Sequence, residues 1–197
     1  ASKEFLLYPK QSLTNFDPTV RDWYINSVNN KGSVVYSEPY YDFGSGELVI
    51  SITKAVENNG KAVGVAGMDI NLNTLSDVIS SIEIGETGYV FITTSDGTVL
   101  AHPNSENIGT NAISNSSFWD ELSSNTSGFL SYEDESGEDN YLIYETNAQT
   151  GWKIGINVAR AELMKDINGL RNFAVIFLLL INIVAVVIAV VFSSRIS

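Results

Sequence analysis

Asp17-Pro18-Thr19-Val20-Arg21-Asp22-Trp23-Tyr24 is the stretch on which the reading of this chain turns. Asp is a helix-capping residue and Pro suits the first helical position. The run therefore predicts a helix from Pro18 to about Asn29, closed by the turn residues Asn30-Lys31-Gly32. In such a helix Arg21 and Tyr24, three apart, share one face near its start. Tyr40, Asp42 and Asp69 follow downstream. With Arg21, Trp23 and Tyr24 they supply one cation, aromatic walls and two carboxylates. An Arg fork pairs bidentately with a carboxylate. Asp42 and Asp69 can accept from an ammonium, and Trp23, Tyr24 and Tyr40 can enclose an apolar stem. A free amino acid needs that complement of partners. Taken singly, Arg21 equally fits a surface ion pair with Asp17 or Asp22, and Trp23 and Tyr24 fit an ordinary core.

Outward from this stretch the chain reads as two α+β modules. Lys3 to Tyr8 has strand character and ends at Pro9. Leu48 to Thr53 and Ala62 to Ile70 are rich in β-branched residues, and the Asn58-Asn59-Gly60-Lys61 turn between them predicts an antiparallel hairpin. Asn73 can cap a helix over Thr74 to Ile82, with Leu75, Val78, Ile79 and Ile82 on one face. From Gly85 a second set of elements begins. Gly88 to Ile92 and Thr98 to His102 flank the Ser95-Asp96-Gly97 turn, and Phe118 to Leu122 suggests a short helix. Strands are expected at Gly128 to Tyr132, Tyr141 to Tyr144 and Trp152 to Val158, with the acidic stretch Glu133 to Asn140 as a hairpin loop.

The Asp-Pro-x-x-Arg-x-Trp-Tyr run at 17–24, Glu38-Pro39-Tyr40 leading to Asp42, and Gly64-Val65-Ala66-Gly67-Met68-Asp69-Ile70 followed by Leu72 resemble the membrane-distal half of a double Cache domain. That domain is the extracytoplasmic sensor module of bacterial methyl-accepting chemotaxis proteins and sensor kinases. Gly85-x-x-Gly88-Tyr89-x-Phe91, with Asp96-Gly97 and His102-Pro103, resembles its membrane-proximal half. The similarity extends from about Phe5 to the C-terminus. It implies two PAS-like modules, antiparallel sheets with flanking helices. The distal one spans 1–73 and is N-terminally incomplete, since a long helix and a first strand normally precede this point. A connecting helix at 74–84 and the proximal module at 85–158 follow. In amino-acid-binding members the motif assigns the ligand carboxylate to Arg21 and Trp23, further contacts to Tyr24, Tyr40 and Asp42, and the ligand ammonium to Asp69. One departure stands out: the Tyr expected five positions before the Arg is Phe16, so one ligand-facing hydroxyl is lost. The resemblance also implies a homodimer with a cytoplasmic output domain.

Composition narrows the function classes. Of 197 residues 23 are acidic and 11 basic, a formal net charge of -12 that disfavours nucleic acid. With no Cys and a single His, thiolate and zinc chemistry are excluded, and no cofactor or metal is expected. Gly64-x-x-Gly67 lacks the helix start and Lys of a phosphate loop, and His102 before Pro103 suits a structural role better than a catalytic triad. Asp134, Glu135, Glu138 and Asp139 miss the spacing of an EF-hand calcium loop and read as a solvated turn. Nothing supports an enzyme.

Phe173 to Phe192 is apolar except for Asn182, and twenty helical residues reach roughly 30 Å, the thickness of a bilayer core. A transmembrane helix is expected at 173–192, entered by a juxtamembrane helix at 159–172. Leu163, Ile167, Leu170 and Ala174 recur there at helical steps. Ser193 to Ser197 resembles the start of a HAMP linker. Charge does not orient the span, because Arg160, Lys165 and Arg171 precede it and Arg195 follows; the resemblance puts the domain outside the cell membrane. The expected function is a small-molecule sensor, with an amino acid as its ligand. The alternatives are a kinase or cyclase sensor for an amine or organic acid, and a membrane-anchored binding protein without signalling.

Overall fold

A computed structural model describes residues 4–165 of the chain. Asp17 caps a single 3-10 turn, Pro18–Val20, accepting the Thr19 N–H at 3.0 Å and the Thr19 hydroxyl at 2.6 Å. Arg21 then adopts an extended conformation (φ -85°, ψ 143°), and α1 (Asp22–Asn29) starts after it. The expected continuous helix from Pro18, with Arg21 and Tyr24 on one face, is corrected accordingly. The Asp17 cap favours a local turn over helix propagation, and Arg21 becomes the residue that caps α1.

The first sheet is built on a long hairpin. β1 (Val34–Tyr36) and β2 (Tyr40–Tyr41) pair with one edge of β3 (Leu48–Asn58), and β4 (Lys61–Asn71) pairs with the other, all antiparallel. Asn59 (φ 49°) and Gly60 (φ 74°) make the turn, as the Asn-Gly pair requires. Between Tyr36 and Tyr40 the ladder breaks. Pro39 has no N–H to donate, and the Ser37 hydroxyl instead accepts the Ser51 N–H at 2.8 Å. Along β3, Val49, Ser51, Thr53 and Ala55 are buried on one face, the period-two pattern of a covered sheet. The Ser27 hydroxyl of α1, fully buried, bonds the Thr53 hydroxyl at 2.6 Å. The expected strand before Pro9 does not form at residues 4–8. That segment has no ladder partner and docks through Phe5, whose ring lies 4.8 Å from Phe16 and 6.3 Å from Trp23.

β4 runs directly into α2 (Leu72–Ser80). Its cap is Asn71, whose side chain accepts the Thr74 N–H at 3.0 Å, so the helix starts earlier than a cap at Asn73 implied. The second sheet comprises β5 (Tyr89–Thr93), β6 (Val99–Ala101), β7 (Ser127–Glu133), β8 (Asp139–Thr146) and β9 (Lys153–Ala159). Its order is β6-β5-β9-β8-β7, antiparallel throughout, with the short helix α3 (Trp119–Ser124) before β7. The fold is thus α+β, two antiparallel sheets with flanking helices. Ile50 of the first sheet, Leu72 of α2 and Leu100 of the second form one cluster, each fully buried. A second core gathers Phe91, Phe118, Leu122, Leu142 and Tyr144 between the second sheet and α3.

Residues 160–165 are helical. Among the described residues no helix is long and apolar enough to cross a membrane. The expected span at 173–192, the HAMP-like start at 193–197, most of the juxtamembrane helix and the first residues of the Lys3 strand lie outside the described residues.

Candidate functional site

The interrupted ladder leaves a cavity of about 310 Å³ between the start of α1 and the Ser37–Tyr40 segment. It is lined by Val20, Arg21, Asp22, Trp23, Asn26, Ser37, Glu38, Pro39 and Tyr40. Its volume suits a small molecule. Trp23 and Asn26, three apart on α1, offer a ring and a side-chain amide from one helix face. Arg21 reaches the cavity because it stands outside the helix. Its guanidinium carbon lies 5.9 Å from the Phe16 ring centroid and 5.9 Å from that of Tyr40. Among the described residues no carboxylate pairs with it, neither Asp17 nor Asp22. A guanidinium cradled by aromatic faces keeps its donor fork available for an incoming anion.

Behind the lining residue Tyr40, Ser51 and Asp69 complete one hydrogen-bonded group with it. The Tyr40 and Ser51 hydroxyls are 2.7 Å apart, and the Ser51 hydroxyl donates to Asp69 Oδ1 at 2.5 Å. The Tyr40 hydroxyl is itself 3.5 Å from the same oxygen. β3–β4 register makes this possible, since Ser51 and Asp69 are direct cross-strand partners. Burial pushes the Tyr40 phenol above its ordinary value. The Asp69 and Asp42 carboxylates add to that rise, while the Ser51 hydrogen bond and Arg21 oppose it. The phenol therefore stays protonated at neutral pH and can donate.

The six residues singled out from sequence are placed unequally. Arg21, Trp23 and Tyr40 line the cavity, and Asp69 joins it through Tyr40 and Ser51. Tyr24 packs edge-on against Trp23, ring centroids 5.9 Å apart, without lining the cavity. The Asp42 carboxylate is occupied by its own turn, accepting the Gly44 N–H at 3.0 Å, the Ser45 N–H at 2.7 Å and the Ser45 hydroxyl at 3.0 Å. Ser51, Asn26 and Ser37 were missed. Ser51 lies in a run of β-branched residues where a lone hydroxyl was the only signal, and Asn26 needed the helix face to be known.

The second sheet offers no equivalent site in its core. The face of its strands that would form a pocket is filled by Phe91, Phe118 and Tyr144, and a Cβ at Gly155 would fall within the Phe91 ring. A second cavity, between α2 and the segment after β6, is lined by residues such as Ser76, Asp77, His102 and Ser105, with no Arg, Lys or aromatic wall among them. His102 Nδ1 accepts the Asn104 N–H at 2.9 Å, and burial holds its ring below the ordinary His value. Asp134 in the acidic loop serves its own turn, accepting from the Ser136 and Glu138 N–H groups and from Asn140.

The sequence profile of the Cache domain family matches residues 1–167. The methyl-accepting chemotaxis protein TlpB of Bacillus subtilis (strain 168) is 34% identical over 177 residues, covering 89% of this chain and 26% of TlpB. The chain thus spans about a quarter of that relative's length. Among solved structures, the ligand-binding domain of the Pseudomonas fluorescens chemoreceptor CtaA in complex with L-serine superposes with a TM-score of 0.63 at 26% identity. It covers 80% of this chain and 69% of that one. The ligand-binding domain of the Pseudomonas aeruginosa PAO1 amino acid chemoreceptor PctB in complex with L-Arg gives 0.61 at 28% identity, with 79% and 67% covered.

Proposed function

The chain belongs to the double Cache domain family, and from that premise we propose that it is the extracytoplasmic ligand-sensing part of a bacterial transmembrane chemoreceptor with an amino acid as its ligand. The observation that carries this reading is a cavity lined by both Tyr40, which is hydrogen-bonded to Ser51 and through it to Asp69, and an Arg21 fork without a carboxylate partner among the described residues. Arg21 takes the ligand carboxylate, with Trp23 beside it. Asp69 Oδ2 takes the ammonium, while Ser51 holds the other oxygen. The Tyr40 phenol donates to Ser51, whose own proton goes to Asp69, and the aromatic walls enclose the side chain. The L-serine and L-Arg bound in similar domains support the ligand class. Asp42 acts indirectly, by holding the Gly44–Ser45 turn that follows Tyr40 and Tyr41.

In this reading residues 1–73 form the membrane-distal, ligand-binding module, and 74–84 connect it to the membrane-proximal module at 85–158. The helix from 160 leads to a membrane span at 173–192, and the receptor works as a homodimer. Binding energy gained in only one of two receptor states shifts their balance. A thermal-shift screen of the protein against the common L-amino acids, simple amines and organic acids tests it. A ligand at a hundred times its dissociation constant adds about 2.7 kcal/mol to stability. A rise with amino acids alone supports the proposal; a rise confined to amines or to carboxylic acids without an amine overturns the ligand assignment.

A further inference from the structure

The helix that begins at Arg160 is tied to the inter-module turn by one carboxylate. Glu162 accepts the Glu86 N–H, the Thr87 N–H at 3.0 Å and the Thr87 hydroxyl at 2.5 Å, linking segments 75 residues apart. Charge-assisted bonds of this kind are roughly twice as strong as neutral ones. The turn is shaped to receive it. Gly85 has φ +60°, and a Cβ there would fall on the Glu162 carboxylate. Lys165, three residues on, pairs with Glu86 at 2.8 Å. The helix's other ion pair, Arg160 with Asp139 at 3.0 Å, has both side chains about half exposed, and such pairs contribute little.

The far end of the same connection starts at Asp69, which is hydrogen-bonded to Ser51 behind the cavity-lining Tyr40. Asp69 precedes Asn71, the cap of α2, by two residues, and α2 leads through residues 81–84 into the turn. β9 ends at Ala159, immediately before the helix that begins at Arg160. We propose that Glu162 is a latch that passes displacement of the turn at 85–87 to the helix beginning at Arg160. The inference rests on contacts away from the cavity and holds whatever ligand fills it.

Hydrogen–deuterium exchange on the full chain in mild detergent tests the latch without a ligand. Glu162→Gln keeps the side chain's shape and removes its charge. It raises exchange at 85–87 and at 160–165 together, by about tenfold or more, while β7 and β8 stay protected. Thr87→Val, which removes only the hydroxyl, gives a smaller rise at the same two segments. Gly85→Ala loosens residues 160–165 when Glu162 is present and adds nothing there in a Glu162→Ala background, where the side chain it would strike is gone. The latch is overturned if Glu162→Gln and Thr87→Val leave 160–165 unchanged, or if Gly85→Ala has its full effect on that helix without Glu162.

Discussion

Ser51 donates a 2.5 Å hydrogen bond to Asp69 across the β3–β4 ladder, and this pairing is what brings a carboxylate from β4 to the wall occupied by Tyr40. Among the described residues the hydrogen bonds to Asp69 reach Oδ1 alone. Arg21 lies over the Phe16 and Tyr40 rings, and among the described residues no acid pairs with it. The proposed amino acid would therefore meet Arg21 with its carboxylate and Asp69 with its ammonium.

Removing either partner should be costly for binding and mild for folding. Truncating one member of a buried charge pair costs roughly 2–5 kcal/mol. Arg21→Ala and Asp69→Ala are each expected to weaken amino-acid affinity by about 30-fold to several thousand-fold. Isothermal titration with the best amino acid of the screen measures it, and unchanged affinity in both variants would remove the two residues from the site.

Phe16 lies beneath the Arg21 guanidinium, where relatives of this motif are expected to carry Tyr. Phe16→Tyr should tighten binding by about 0.5–1.5 kcal/mol through one added hydrogen bond. The same titration decides; looser binding would mean that the hydroxyl disrupts the Phe5–Phe16–Phe43 stack instead.

The modules should divide their labour. The core of the second sheet is packed by Phe91, Phe118, Leu122 and Tyr144, and Trp119 packs against it. Trp119→Ala and His102→Ala are expected to lower the melting temperature while leaving amino-acid affinity within about twofold, well under the 1.4 kcal/mol of a tenfold change. A tenfold loss of affinity with an unchanged melt would contradict that division.

Leu72 belongs to the core shared by the two sheets. Leu72→Ala should destabilise by about 2–5 kcal/mol, the range for a buried leucine truncated in a packed core. In the parent chain, urea unfolding followed by tryptophan fluorescence and by far-UV circular dichroism should coincide, as one cooperative unit requires. In the variant, two separated transitions would show that this cluster is what joins the sheets.

The Glu162 latch has a defined pH window. The Thr87 hydroxyl, then the Glu86 N–H, with smaller help from the Thr87 N–H and Lys165, hold its carboxyl below the ordinary range. A depressed folded value means the stabilisation is fully present above the unfolded value, about 4.3, and is lost as pH falls through the folded one. Urea midpoints of the parent and Glu162→Gln should therefore differ at pH 6 and converge in stronger acid. A gap that widens on acidification would reverse the sign. Glu86, Lys165, Arg160 and Asp139 are the neighbouring charges to hold constant in the comparison.

Where short-range rules dominate, the residues alone were sufficient. The hairpin of β3 and β4 follows from two β-branched runs around Asn59-Gly60, since a left-handed turn and a period-two pattern are local properties. The strands of the second sheet and α3 were legible for the same reason. Arg21, Trp23, Tyr40 and Asp69 were singled out by a family motif; the first three line the cavity, and Asp69 reaches it only through Ser51 and Tyr40.

Long-range packing decided the rest. β1 and β2 are too short to show any period and exist as strands because β3 pairs with them. Residues 4–8, with a comparable apolar pattern, find no such partner and stay irregular. Asp42 and Asp69 look alike in sequence, yet one carboxylate closes its own turn while the other crosses a ladder to Ser51. Glu162 gave no local sign of its role, because its three donors lie about 75 residues away. A hydrogen bond between distant segments depends on the register and docking that bring them together, and those are set by the whole buried core rather than by neighbouring residues.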